Sequence, residues 1–224
     1  MRTSDVPWSE VAQIAWLTLR VTLAATALGA LVGVPVGATL GLRTHAAARA
    51  FRILLYTLYA LPPVLAGLVA YLAMSREGWL GPLHLLFTPM AIVLVEALLA
   101  APLVAGLTTA ALADVPHNVR EAVLASGAAP PLRQWTLVNE ARYGIVAAIM
   151  VGFGRSLAEV AGALLVGGNV RHETRTLGTA ILQEVAQGDF PFALALGAIL
   201  LALALASVLA LAWLQARNAG GDAP

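Results

Sequence analysis

Residues 89–113 read PMAIVLVEALLAAPLVAGLTTAALA, 25 positions with a single charge, Glu96. A helix of about 20 apolar residues crosses the hydrocarbon of a bilayer, so this segment predicts a membrane span. Four similar stretches lie around it. They run near 14–42, where Arg20 interrupts; near 53–74; near 144–166, which holds Arg155 and Glu159; and near 190–214, uncharged after Asp189. The expectation is an all-α integral membrane protein of five transmembrane helices, one membrane domain over residues 1–224.

Composition agrees. The 224 residues are 60% hydrophobic and 11% charged, against roughly 25% charged in an ordinary soluble domain. Too few charges exist to wet a globule of this size. A net charge of +1 leaves no basic patch for phosphate backbones, so no nucleic-acid partner is expected. There is no cysteine, which excludes disulfides, thiolate catalysis and thiolate metal sites. All 13 basic residues are arginine. A Walker-type phosphate loop needs a lysine, so ATP-driven work requires another polypeptide.

Five spans put the ends on opposite faces. Arginine in short loops marks the cytoplasmic side. With the N-terminus outside, the inner segments hold Arg43, Arg49, Arg52, Arg120, Arg133, Arg142 and Arg217, and the outer ones hold Arg2, Arg76, Arg171 and Arg175. That balance favours N-terminus outside and C-terminus in the cytoplasm. The segment Met1–Trp8 reads as a short free lead with no cleaved signal. The tail at Asn218–Pro224 reads as too short for a regulatory domain.

Gly29, Gly33, Gly37 and Gly41 recur every fourth residue on one helix face. Small residues at that spacing let backbones approach closely in lipid. The partner is either another span or a second copy, and Pro35 within the ladder predicts a kink.

Charges inside spans need a reason. At 1.5 Å per residue, Arg20 lies about 9 Å, and Glu96 and Glu159 about 12 Å, from the outer ends of their spans. Similar depth and opposite sign suggest a network of Arg20, Glu96 and Glu159, either a packing bridge or a gate. Arg155 is deeper and one turn from Glu159. It either pairs with Glu159 or faces a pathway and eases passage of an anion, with Gly152, Gly154 and Gly162 leaving room beside it.

Two connections are long, 114–142 inside and 167–189 outside, and such loops are usually functional. In the first, Asp114 is expected to cap a helix with Pro116 in its early turn and Gly127 as terminator, followed by a second helix from Pro130-Pro131 through Gln134 and Trp135. The segment 114–135 is then either a docking knob for a partner or an amphipathic stretch on the lipid surface. In the second, Leu177, Ile181 and Val185 predict a short helix. Gly168, Asn169, Thr174 and Thr176 are candidates for an outer mouth.

The inner connection also carries a resemblance. Glu121-Ala122-Val123, three residues, then Gly127 resembles the coupling-loop signature of binding-protein-dependent ABC importer permeases, Glu-Ala-Ala, three residues, Gly. The family's later Ile-x-Leu-Pro is replaced here by Val138-Asn139-Glu140-Ala141-Arg142. The run Gly152–Val160, with Val166-Gly167-Gly168-Asn169 and Thr174-Arg175-Thr176-Leu177, resembles the oxyanion branch for sulfate, molybdate and tungstate. Asn139–Gly144 with Gly152-Phe153-Gly154-Arg155 looks most like the tungstate type.

The resemblance implies a type I importer fold. It implies a homodimer in a bacterial or archaeal cytoplasmic membrane. Two ATPase subunits would hold ATP-Mg on the inner side, and a substrate-binding protein would dock outside. Glu121, Ala122 and Gly127 would be coupling positions. Arg155, Glu159, Gly154 and Gly162 would be pathway candidates. No cofactor, metal site or catalytic residue is expected on this chain.

Two rivals are weaker. An intramembrane hydrolase would need a buried histidine, but His45, His84, His117 and His172 all fall in or beside loops. A secondary carrier built on inverted repeats fits five spans poorly and has no use for the knob.

Overall fold

The computed structural model describes residues 7–43 and 46–219. The free N-terminal lead up to residue 6, His45, and the tail beyond 219 lie outside the described residues. The described residues form ten α-helices and no strand: α1 (Trp8–Gly41), α2 (Ala46–Tyr59), α3 (Pro63–Met74), α4 (Pro89–Ala113), α5 (His117–Ala125), α6 (Pro130–Glu140), α7 (Arg142–Leu157), α8 (Ala161–Gly167), α9 (Leu177–Gln187) and α10 (Phe190–Ala219).

By length and composition α1, α4 and α10 can each cross a membrane unaided. The stretches read as second and fourth spans are each broken. α2 and α3 meet at 92°, and α7 and α8 at 60°. The first break has a covalent cause, since Pro62 and Pro63 cannot donate to the helix ladder and Pro62 is extended, with φ −61° and ψ 126°. No proline stands at the second break.

α4 is the central post. Of its most apolar 18-residue stretch 61% is buried, against 6% for α10, which packs through Phe192, Ala193 and Leu196 and leaves most of its length half-buried or exposed. The glycine ladder of α1 packs on α4 within the chain. A Cβ at Gly29 would lie 3.0 Å from Ala100 Cβ, one at Gly33 3.0 Å from Val104 Cβ, one at Gly37 2.7 Å from Thr108 Cβ, and one at Gly41 2.8 Å from Leu112 Cβ. The offset is 71 residues at every rung, so the two helices run parallel. Thr109 Oγ1 donates to Gly37 O at 3.1 Å across the same seam. Pro35 lies inside α1, which continues through it as one helix.

The C-terminal ends of α1 and α4 are closed by arginine. Arg52 Nη2 donates to Leu40 O at 3.1 Å. Arg120 Nε donates to Val115 O at 3.2 Å, and its Nη2 to Leu112 O. A cation at a helix C-terminus meets the free carbonyls and the negative end of the dipole. Asp114 does not cap α5. It ends α4 in αR geometry, and Pro116 stands at the start of α5 without a side-chain cap.

Candidate functional site

The break between α7 and α8 is where charge gathers. α7 ends at Leu157, and Glu159 falls in the gap. Its Oε1 accepts from Gly162 N at 2.9 Å and its Oε2 from Arg155 Nη1 at 2.8 Å. One buried carboxylate therefore holds the first turn of α8 and the guanidinium of α7 together. The Arg155–Glu159 pair is the i,i+4 pair that the spacing predicts, with side chains 35% and 3% exposed.

The expected network of Arg20, Glu96 and Glu159 does not form. Arg20 is exposed on α1 and makes no ion pair among the described residues. The register of α1 on α4 sets Arg20 level with Ala91, five residues short of Glu96, and its side chain faces outward. Glu96 is buried on α4, within electrostatic reach of both Glu159 and Arg155, and its Oε2 has no hydrogen-bond partner. Among the described residues Arg155 thus pairs with Glu159 alone, and Glu96 lies near both without an ion pair to Arg155.

Arg155 also lines a cleft of about 380 Å³ with Leu58, Tyr59, Leu61, Leu99, Leu103 and Val151. The cleft sits beside the α2–α3 bend, so both broken pairs border it. A half-exposed guanidinium on an apolar wall is a ready anion contact. Gly154 has open space around it, since a Cβ there would meet nothing within 4 Å. Gly162 does not. A Cβ on it would come within 2.8 Å of Val95, and one on Gly67 within 2.8 Å of Gly162 Cα. Gly162 is the point where α3 and α8 touch, not room for an ion.

The outer-mouth candidates hold the 167–189 connection in shape. Gly168 ends α8 with φ +68°, and a Cβ there would strike Phe87 at 2.6 Å. Asn169 Nδ2 donates to Gln183 Oε1. Thr174 is fully buried, donates to Gly167 O and accepts from Val170 N at 2.9 Å. Thr176 caps α9 in a reciprocal pair with Thr179. The hydroxyls of both threonines are thus engaged inside the loop rather than facing a mouth.

The sequence reading missed a second charge cluster that ties this loop to α1. Glu10 accepts from Arg171 Nε at 2.9 Å and from Arg175 Nη1 at 3.1 Å. Arg175 Nη2 also reaches Gln183 at 2.6 Å, and Arg175 is buried with Glu184. The Glu10 carboxylate holds the Arg171 guanidinium above its ordinary pKa, chiefly by accepting its hydrogen bonds. The visible signal was an acid at the start of the first span facing two arginines in the outer loop.

Beyond the C-terminal end of α4, α5 and α6 form a hairpin with no fully buried residue. Gly127 turns it with φ +68°, a backbone conformation that disfavours any side chain. Glu121 is exposed and lies 3.0 Å from His117. Leu124, Leu132 and Trp135 are 62%, 56% and 69% exposed. Three large apolar side chains on one small hairpin mark a surface that expects cover.

Comparison with known proteins follows the same lines. Residues 33–219 match the model of a family described as binding-protein-dependent transport system inner membrane component. A "Probable anion ABC transporter permease protein" of Haloferax volcanii is 38% identical over 206 residues, covering 90% of this chain and 89% of that one. A tungstate uptake system permease protein of Peptoclostridium acidaminophilum is 33% identical over 197 residues, with coverage of 88% and 86%. In fold, the chain is similar to a structure of the inward-facing MetNI methionine ABC transporter, with a TM-score of 0.74, 22% identity and coverage of 96% and 99%.

Proposed function

Because the chain belongs to the family of binding-protein-dependent transport system inner membrane components, we propose that it is the membrane subunit of an importer whose cargo is tungstate. The coarser reading stands on the relatives: the chain is an ABC importer permease of the oxyanion group and an integral membrane protein, not an enzyme. Molybdate and sulfate are the runner-up cargoes.

The working unit is a homodimer with two ATPase subunits inside, which hold ATP-Mg, and a substrate-binding protein outside. It sits in the cytoplasmic membrane with five spans per chain, counting each bent pair as one, N-terminus outside and C-terminus in the cytoplasm. The observation that carries the reading is the α5–α6 hairpin. It has no fully buried residue, packs Val119, Leu137 and Val138 against the bundle, displays Leu124, Leu132 and Trp135, and turns at the glycine of the coupling signature. Closure of the ATPase dimer pushes this hairpin, and the bent pairs α2–α3 and α7–α8 supply the joints at which the spans rock.

A cysteine at Glu121, in a chain that has none of its own, tests the placement. It should crosslink to the ATPase and resist an impermeant thiol reagent applied from outside. Labelling from outside would overturn the topology, and uphill uptake in vesicles lacking any ATPase would overturn the importer reading. Binding of tungstate, molybdate and sulfate to the cognate binding protein decides the ion.

Arg155 serves the anion directly in this reading. Loss of one charged hydrogen-bond donor weakens an anion contact by about 1.5–3 kcal/mol. Because Arg155→Ala also strands the buried Glu159 carboxylate, oxyanion uptake is read per assembled, ATP-hydrolysing complex, and it should fall by about tenfold or more. Undiminished uptake would remove Arg155 from the pathway.

A further inference from the structure

Arg20 interrupts an otherwise apolar outward stripe of α1, shared with Trp16, Leu23 and Leu31, which are 60%, 52% and 72% exposed. No carboxylate among the described residues pairs with it. Its depth can be read in two ways. A helix of 34 residues is about 51 Å long, against about 30 Å of hydrocarbon. Counted from Gly41, about 20 residues of helix reach Thr22, which leaves Arg20 at the headgroup level on the N-terminal side. The parallel register with α4 gives the same depth, because the 71-residue offset sets Arg20 level with Ala91, in the first turn of α4.

A groove of about 600 Å³ opens at this level. Leu17, Val21, Phe87, Met90 and Val93 wall it, and Arg20, His172 and Glu173 stand among its lining. We propose that this groove holds a phospholipid of the leaflet on the N-terminal side of α1, with the phosphate on the Arg20 guanidinium and an acyl chain along the apolar wall. The planar guanidinium suits a phosphate, which it can bind through two parallel hydrogen bonds. Trp16, one turn away, sits where aromatic side chains favour the membrane interface. A free dianion fits the groove less well, because most of its wall is apolar and Glu173 repels two charges more strongly than the single charge of a phosphodiester. A lipid offers the same phosphate chemistry with a tail that matches the walls.

The test uses the full chain in nanodiscs of phosphatidylethanolamine and phosphatidylglycerol. Native mass spectrometry counts the phospholipid retained after transfer to detergent. Arg20→Gln should lower retention by at least about tenfold, the equivalent of about 1.4 kcal/mol. Arg20→Lys should keep most of it, and excess tungstate or sulfate should not displace it. Arg20 is exposed, so the thermal midpoints of these variants should match the parent. Equal retention in Arg20→Gln overturns the proposal. Displacement by tungstate or sulfate also overturns it and makes the groove a free-oxyanion site. A Trp16→Cys chain that forms disulfides between copies overturns it as well, by giving the stripe to a second copy.

Discussion

Glu159→Ala is expected to lower the stability of the chain by on the order of 3 kcal/mol, read as a drop in thermal midpoint in detergent. Two effects combine. The substitution removes the carboxylate facing Arg155 at 2.8 Å, and stranding one partner of a buried ion pair is costly. It also frees Gly162 N, which Glu159 Oε1 now satisfies at 2.9 Å, a loss comparable to a helix cap at about 1 kcal/mol. Because Arg155 is 35% exposed, its share falls short of the fully buried case. Companion variants separate the two parts. Glu159→Gln keeps an acceptor for Gly162 and loses the charge, so it should fall between parent and alanine. Arg155→Ala with Glu159→Ala removes both charges and should be more stable than Glu159→Ala alone. If the double variant is the less stable of the two, the pairing argument fails.

Gly37→Leu should abolish the assembled chain. A Cβ at Gly37 would already overlap the carbonyl oxygen of Ala105 and lie 2.7 Å from Thr108 Cβ. The obstacle is backbone rather than a flexible side-chain tip, so α1 and α4 would have to separate. Overpacking in a close-packed interior typically costs about 1–3 kcal/mol, and a leucine against backbone should exceed that range. The separation would also break the bond from Thr109 to Gly37 O. Expression and monodispersity of the purified protein measure the outcome. Gly154→Ala is the matched control, because its Cβ meets nothing within 4 Å and alanine favours a helix over glycine by about 1 kcal/mol. Equal yields of Gly37→Leu and Gly154→Ala would show that the seam on α4 is not as tight as described.

Legibility in the sequence followed the range of each interaction. Residues 89–113 were bounded correctly because their limits are local, with Thr88-Pro89 at the start and the end of the apolar run at Asp114. The turn at Gly127 and the helix at Leu177–Gln187 were legible for the same reason. The α2–α3 break was signalled by Pro62-Pro63 but hidden in a continuous apolar run. The α7–α8 break had no such mark, since its restart depends on a carboxylate side chain reaching Gly162 N. The proposed partnership of Arg20 failed because the register of α1 on α4 sets it level with Ala91, more than a turn from Glu96, and on the outward face of α1.

Residence in a bilayer, the helical class, the absence of a nucleotide motor and the glycine-turned hairpin of α5 and α6 are written into the chain itself. Each depends on apolar run length, on a missing residue type or on the backbone freedom of one glycine. The tertiary structure decided which charges meet. Glu159 joins Arg155 to α8, Glu10 gathers Arg171 and Arg175, and Arg20 is left facing outward. Those pairings turn on the parallel register of α1 with α4 and on two bends, and a Coulombic contact between helices changes partner when either helix shifts by a turn.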